Sequence, residues 1–149
     1  MDVVASMKYV KIESADAIQE YLRKFDDCYP RLAKRVRDIA GFTKKLADNG
    51  IVIVYKASSD IKGVICYYEN DRDNLYGYIT IIWINKDNRG EGVGTKLLNY
   101  CITDMKKKGM KAVRLEVKTE NKKAISFYRK NGFIIQNVEN NSCYMVRML

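Results

Sequence analysis

The apolar positions of this chain change period along its length, and the changes mark out its elements. Residues 7–13 read as a first strand. After Ser14, placed as an N-cap, Ala17, Ile18, Tyr21, Leu22 and Phe25 fall at helical spacing. A polar turn at 26–30, holding the single proline, Pro30, leads to a second helix. Its apolar positions are Leu32, Val36, Ile39, Ala40 and Leu46, and Asn49-Gly50 stops it. Strands are predicted at 51–57 and 61–69 around the turn Ser58-Ser59-Asp60, then at 75–84 after the polar turn 70–74. A long helix over 92–108, stopped by Gly109, precedes a strand over 110–118, where Val113, Leu115 and Val117 alternate with Arg114, Glu116 and Lys118. A short helix over 122–131 follows, with Gly132 in the left-handed slot that ends helices, and strands at 133–138 and 142–148 close the chain. No repeat, low-complexity run or linker interrupts the order β-α-α-β-β-β-α-β-α-β-β, so residues 1–149 are expected to form one domain.

The junction of the fourth strand and the long helix carries the first chemistry. Arg89-Gly90-Glu91-Gly92-Val93-Gly94-Thr95-Lys96 lies between an apolar β-branched run and a helix start. That arrangement aims unpaired N–H groups and the positive end of a helix dipole at one point, a natural seat for a phosphate. A side chain at Gly92 or Gly94 would hold such a ligand off the backbone. Spacing separates the possible ligands. A P-loop requires G-x-x-x-x-G-K-[ST], which these residues do not match, and a dinucleotide fingerprint lacks its third glycine in both frames, with Thr95 or Leu97 in its place. Glu116, near the end of the next strand, is the one feature favouring a dinucleotide. What does fit is R-x-x-G-x-G at Arg89, Gly92 and Gly94. A tight turn with no ligand is the bland alternative.

Downstream, Asn121-Lys122-Lys123-Ala124-Ile125-Ser126-Phe127-Tyr128-Arg129-Lys130-Asn131-Gly132-Phe133 reads N-x-x-A-x-x-x-Y-x-x-x-G-F. Together with the glycine loop, this resembles the GCN5-related N-acetyltransferase (GNAT) superfamily, which binds acetyl-coenzyme A. The run from Ile82-Trp83-Ile84 through Gly94 is similar to that family's strand-to-helix motif, with Lys86 where proline is common. The likeness is strongest over 76–133. It implies an α/β (α+β) fold, a mixed, mostly antiparallel seven-stranded sheet flanked by about four helices. It implies acetyl-CoA as co-substrate, held by Ile82, Trp83, Ile84, Arg89, Gly90, Glu91, Gly92, Val93, Gly94, Thr95, Asn121, Ala124 and Tyr128. In the family the fourth strand splays from the fifth, and freed backbone groups near Ile82 and Ile84 pair with the pantetheine arm, one N–H acting as oxyanion donor.

The activity so implied is direct acetyl transfer to a primary amine, on a small molecule or a protein, in a ternary complex. Glu116 is the candidate base, and Tyr128, twelve positions on, the candidate acid. A similar Glu-to-Tyr spacing occurs in a branch that acetylates protein N-termini. Each has a plainer reading: Glu116 as a surface residue paired with Arg114 or Lys118, Tyr128 as a core tyrosine, Asn121 as a helix cap. A lysine-type amine at ~10.4 costs about 4.6 kcal/mol to neutralise at pH 7, an α-amine near 8 about 1.4. A carboxylate at ~4.3 matches neither without burial or a relaying water. Glu69 and a purely water-mediated route are the alternatives. A tyrosine at ~10 protonating a thiolate near ~8.5 is uphill by roughly 2 kcal/mol, so hydrogen bonding to the developing thiolate describes Tyr128 better. The acceptor pocket is expected between Asp27, Cys28, Tyr29 and Arg31, the hairpin 138–141, and Tyr67, Tyr68, Tyr78 and Trp83. A CoA-binding regulatory or interaction module that transfers nothing is the rival reading, and a dinucleotide-binding domain a second.

Composition narrows the partners. With 149 residues, 47% hydrophobic and 30% charged, the chain is ordinary for a soluble globular domain. No apolar run approaches the ~18 residues of a membrane span, and no signal peptide opens the chain. Four cysteines lie far apart and there is no histidine, so no metal site is expected; buried reduced thiols point to a cytoplasmic protein. The net charge of +9 suits coenzyme A's phosphates near Arg89, Lys96, Lys122, Lys123, Arg129 and Lys130, and leaves an acidic acceptor open. Basic residues do not interleave with aromatics as a nucleic-acid module requires, so none is expected as partner. The acidic clusters at 26–27 and 71–73 are small and give only faint support for a cationic acceptor. Monomer and homodimer are both open, since a closing edge strand could pair across an axis.

Overall fold

A computed structural model describes residues 7–24 and 28–149, with the backbone alone over 28–31. The chain forms β1 (Met7–Lys11), α1 (Ala15–Arg23), α2 (Cys28–Arg35), α3 (Ile39–Asn49), β2 (Gly50–Ala57), β3 (Asp60–Tyr68), β4 (Tyr76–Ile84), α4 (Val93–Lys107), β5 (Ala112–Lys118), α5 (Lys122–Lys130), β6 (Ile134–Glu139) and β7 (Ser142–Met148). A single 3-10 turn at Lys86–Asn88 sits between β4 and α4. The seven strands form one sheet in the order β1-β2-β3-β4-β5-β7-β6, antiparallel except for β4 against β5. This is the mixed, mostly antiparallel sheet that the sequence resemblance implies.

One expected helix proves to be two. The apolar spacing runs on from Leu32 to Leu46, but α2 ends at Arg35 and α3 begins at Ile39. Asp38 makes the break: its carboxylate accepts from the Gly41 N–H at 2.9 Å, an N-cap that starts a new helix. The predicted turn at 26–30 also shifts, because residues 28–30 are already helical; residues 25–27 lie outside the described residues. Ser14 caps α1 as expected, accepting from the Ala17 N–H at 3.1 Å.

Two cores lie on the two faces of the sheet. On one, α4 buries Val93, Leu97, Leu98, Cys101, Ile102 and Met105, with Tyr128 of α5 and Phe133 joining the same cluster. On the other, Ile18, Leu22, Leu32 and Leu46 of α1–α3 cover Val52, Val54, Val64, Cys66 and Ile81. A bulge in β4 allows one strand to serve both. Cys66 pairs with Ile81 and Tyr67 with Ile79, so Thr80 is an extra residue. Ile79 and Ile81 would share a face in a regular strand; across the bulge they enter opposite cores.

That bulge coincides with the end of β4–β5 pairing. The parallel ladder runs from Tyr76 opposite Ala112 to Ile79 opposite Leu115, and no further. Beyond it β4 stays with β3 as far as Ile84, and β5 stays with β7 as far as Lys118. The two central strands therefore part in a V. Helices α1–α3 pack over the β2–β4 half of their face and, among the described residues, leave the β5–β7–β6 half uncovered.

Candidate active site

The glycine-rich segment stands at the open end of the V. Gly90 and Gly92 have φ of +82° and +81°, which a Cβ would strain, and nothing lies within 4 Å of where either Cβ would stand. Gly92 is the N-cap of α4, with no side-chain hydrogen bond to its first turn. The N–H groups of Val93, Gly94 and Thr95 are therefore left without intrahelical partners beside open space, the arrangement an anion needs. Val93 puts only its backbone into this site; its side chain is buried in the core. Gly94 has a packing role too: a Cβ there would stand 3.3 Å from the Phe127 ring, so its bareness lets α5 close on the first turn of α4.

The loop is braced from within. Glu91 accepts from the Asn88 amide at 3.0 Å, and Arg89 Nε donates to the Ile84 carbonyl at 3.3 Å with its guanidinium over Trp83. At the other end of the unpaired β4 stretch, Arg35 Nη2 reaches from α2 to the Thr80 carbonyl at 3.1 Å. Ile82 and Ile84 turn their side chains to the α4 core and Trp83 to the opposite one.

The expected acid and base lie on opposite faces of the sheet. Tyr128 is 6% exposed on the α4 face, edge-on to Phe127 and Phe133, and burial pushes its phenol well up. Its place is set by how α5 ends. The Phe133 N–H bonds the Tyr128 carbonyl at 3.0 Å and the Gly132 N–H bonds that of Arg129 at 3.1 Å, with Gly132 at φ +87°. This is the Schellman pattern, and its hydrophobic contact is the Tyr128–Phe133 ring pair itself. Asn121 caps the other end of α5, accepting from the Ala124 N–H at 3.2 Å.

Glu116 is the first β5 residue beyond the last β4–β5 pair, on the face that α1–α3 leave bare. Neither Arg114 nor Lys118 pairs with it among the described residues; the Ser142 hydroxyl donates to it at 3.0 Å, and Tyr144 is its cross-strand neighbour, whose phenol the Glu116 charge pushes up. Beside it lies a cavity of about 460 Å³ lined by Tyr78, Arg114, Gln136, Asn137, Tyr144 and Met145. The V opens in the sheet between the face that carries Glu116 and the face that carries Tyr128.

The rest of the expected acceptor wall is rearranged. Of the four aromatics, Tyr78 alone lines the cavity. Tyr67 is fully buried on the α4 face, bonded to Asp104 at 2.7 Å, while Tyr68 and Trp83 pack into the α1–α3 core. Asp27 and the side chains of 28–31 lie outside the described residues. Glu69 is set apart from the V, buried beneath the far end of α4 with Lys108 Nζ at 3.2 Å. Asp71 is spent on its own turn, accepting from the Asp73 and Asn74 N–H groups. Ser142, Tyr144 and Arg35 were not legible as site residues, because only strand register and the α2–β4 contact bring them there. Cys66, Cys101 and Cys143 are buried. Among the described residues no cluster suits a metal ion, and no helix is long and apolar enough to cross a membrane.

Comparison with known proteins agrees with this geometry. The chain is 31% identical over 130 residues to an uncharacterized N-acetyltransferase of Methanocaldococcus jannaschii, covering 85% of this chain and 58% of that protein. It is 39% identical over 74 residues to N-alpha-acetyltransferase 30 of Schizosaccharomyces pombe, covering 49% of each. The chain thus spans about half to three-fifths of the length of these relatives. In fold it matches the PaiA N-acetyltransferase of Thermoplasma acidophilum, a structure in complex with coenzyme A, with a TM-score of 0.76 at 20% identity over 97% of this chain and 99% of that one. The family model described as acetyltransferase (GNAT) family matches residues 15–133, from the first turn of α1 to the cap of α5, and the chain belongs to that family.

Proposed function

We propose that the protein transfers an acetyl group from acetyl-CoA directly to a primary amine, with both substrates bound together. One observation carries this reading: the V between β4 and β5 opens at one end on an uncapped helix N-terminus and separates Glu116 from Tyr128. The pyrophosphate of coenzyme A fits the cradle at Gly90 and Gly92 and the N–H groups of Val93, Gly94 and Thr95, with Arg89, Glu91 and Trp83 shaping the loop. Its pantetheine arm takes the place of the missing strand beside Ile82 and Ile84, and Asn121 and Ala124 begin the helix against which it ends.

The acceptor amine enters from the bare face and loses a proton towards Glu116, directly or through water. Its nitrogen bonds the thioester carbonyl carbon, the C–S bond breaks, and the departing thiolate is met by the Tyr128 hydroxyl. Burial holds that phenol protonated, which suits a hydrogen-bond donor. An α-amine is the favoured acceptor. Glu116 is exposed and held by the Ser142 hydroxyl, and an α-amine needs only about 1.4 kcal/mol to become neutral, against about 4.6 for a lysine. The likeness to N-alpha-acetyltransferase 30 supports the same choice.

Calorimetry with acetyl-CoA, followed by thiol release against a panel of α-amines and lysine-type amines, tests the proposal. Micromolar binding with amine-dependent thiol release is expected. Binding without release from any amine leaves a cofactor-binding module instead, and no binding at millimolar acetyl-CoA ends the reading.

A further inference from the structure

The bare face beside the V carries opposite charges that do not pair with one another. Arg35 is anchored by bonds from Nη2 to the Thr80 carbonyl at 3.1 Å and hydroxyl at 3.4 Å. Arg114 is anchored by its guanidinium lying 3.9 Å from the centre of the Tyr76 ring. Neither has a carboxylate partner among the described residues. An arginine offers five N–H donors in a planar fork, and these anchors leave donors of both guanidinium groups for a ligand. Glu116, in turn, accepts from the Ser142 hydroxyl and has no cation partner among the described residues.

Tyr78 places these groups about one spot. It pairs in register with Arg114 and shares the face of Glu116. Burial raises its phenol first and the Glu116 charge second, while the Arg35 charge acts the other way, so both charges reach the same ring. Mobile surface arginines would mean little in a chain of +9. Two arginines fixed in place, beside a cavity and across a tyrosine from a fixed carboxylate, form a preorganised pair of opposite poles.

We propose that the acceptor carries an anionic group, a carboxylate, close to its amine, and that Arg35 and Arg114 select it while Glu116 receives the amine. This rests on the acetyl-transfer reading for the role of the amine. The carboxylate has two possible sources: the α-carboxylate of a free amino acid, or an acidic side chain in the first residues of a peptide. A planar guanidinium suits either by paired hydrogen bonds.

Two matched pairs of acceptors separate the sources: free methionine against methioninamide, and peptides beginning Met-Asp against Met-Asn. In at least one pair the acidic member is expected to show a kcat/KM at least tenfold higher, about 1.4 kcal/mol; the pair that does so names the source. Arg35→Gln and Arg114→Gln should each bring that ratio to about twofold or less, while Arg35→Lys, which keeps the charge, retains part of it. Arg114→Gln leaves the Thr80 contact in place, and an unchanged melting temperature shows that either variant is folded. Ratios within twofold for both pairs in the unmodified protein, or a preference surviving both glutamine variants, overturn the proposal. Calorimetry of the same four ligands on CoA-saturated protein keeps the two readings apart. Arginine-dependent preference in binding without acetyl transfer removes the catalytic reading alone, and transfer without preference removes this one alone.

Discussion

Glu69 is buried beneath the C-terminal end of α4, where one of its carboxylate oxygens has no hydrogen-bond partner among the described residues. Burial, then the neighbouring Asp104, pushes its carboxyl up from 4.5 to about 7, against the pull of Lys108. A folded-state value above the unfolded one means that the native protein binds this proton more tightly. The stabilisation is fully present below pH 4.5 and is lost as pH rises through about 7. Between pH 5 and pH 8 the linkage relation converts that shift into about 2–3 kcal/mol of lost stability. For a domain of this size the corresponding fall in Tm is roughly 5–10 °C. The window is unusually clean, because the chain has no histidine to titrate in it. Relief of repulsion within a +9 chain would act in the opposite direction, stabilising as pH rises. Urea unfolding of the unmodified protein and of Glu69→Gln, at intervals from pH 5 to pH 8.5, reads the effect directly. The glutamine variant keeps the shape and cannot ionise, so its stability should change little over the range and exceed that of the unmodified protein above pH 8. Its lost contact with Lys108, a half-exposed side chain, costs little. Parallel pH profiles for the two proteins would refute the buried-carboxyl account.

Three further outcomes follow from the site. Tyr128→Phe removes only the hydroxyl from a ring held by Phe127 and Phe133; steady-state kinetics should show turnover lowered at least tenfold with acetyl-CoA affinity nearly intact, and unchanged turnover excludes Tyr128 from the reaction. Glu116→Gln should alter the pH–rate profile on the preferred amine, whereas an unaltered profile leaves Glu116 a structural partner of Ser142. Gly94→Val forces Phe127 off the first turn of α4; a loss of about 1–3 kcal/mol in unfolding experiments is expected, with weaker acetyl-CoA binding; weaker binding at unchanged stability would remove the packing role, and the absence of both effects would remove both roles.

The amino-acid sequence by itself determines most of the strand and helix inventory here, because the relevant forces are local. Alternation in 112–118, the cap at Ser14 and the left-handed residue at Gly132 depend on neighbours within a few positions, and each stands where the pattern puts it. The glycine loop was legible for the same reason, since a positive φ and an uncapped helix start are properties of a short segment. The break at Asp38 was not, because a continuous apolar stripe hides a polar cap that competes with it. Tertiary structure alone decided what surrounds the candidate acid and base. A single extra residue at Thr80 sends Ile79 and Ile81 into different cores and coincides with the point where β4 leaves β5. Register then seats Ser142 and Tyr144 on Glu116, residues 26 and 28 positions away, and α2 swings Arg35 over Thr80, 45 positions away. Such contacts depend on how distant segments pack, and no period in the chain encodes the partner across a gap. The same packing gave Tyr67 a buried place under α4 rather than in the acceptor wall.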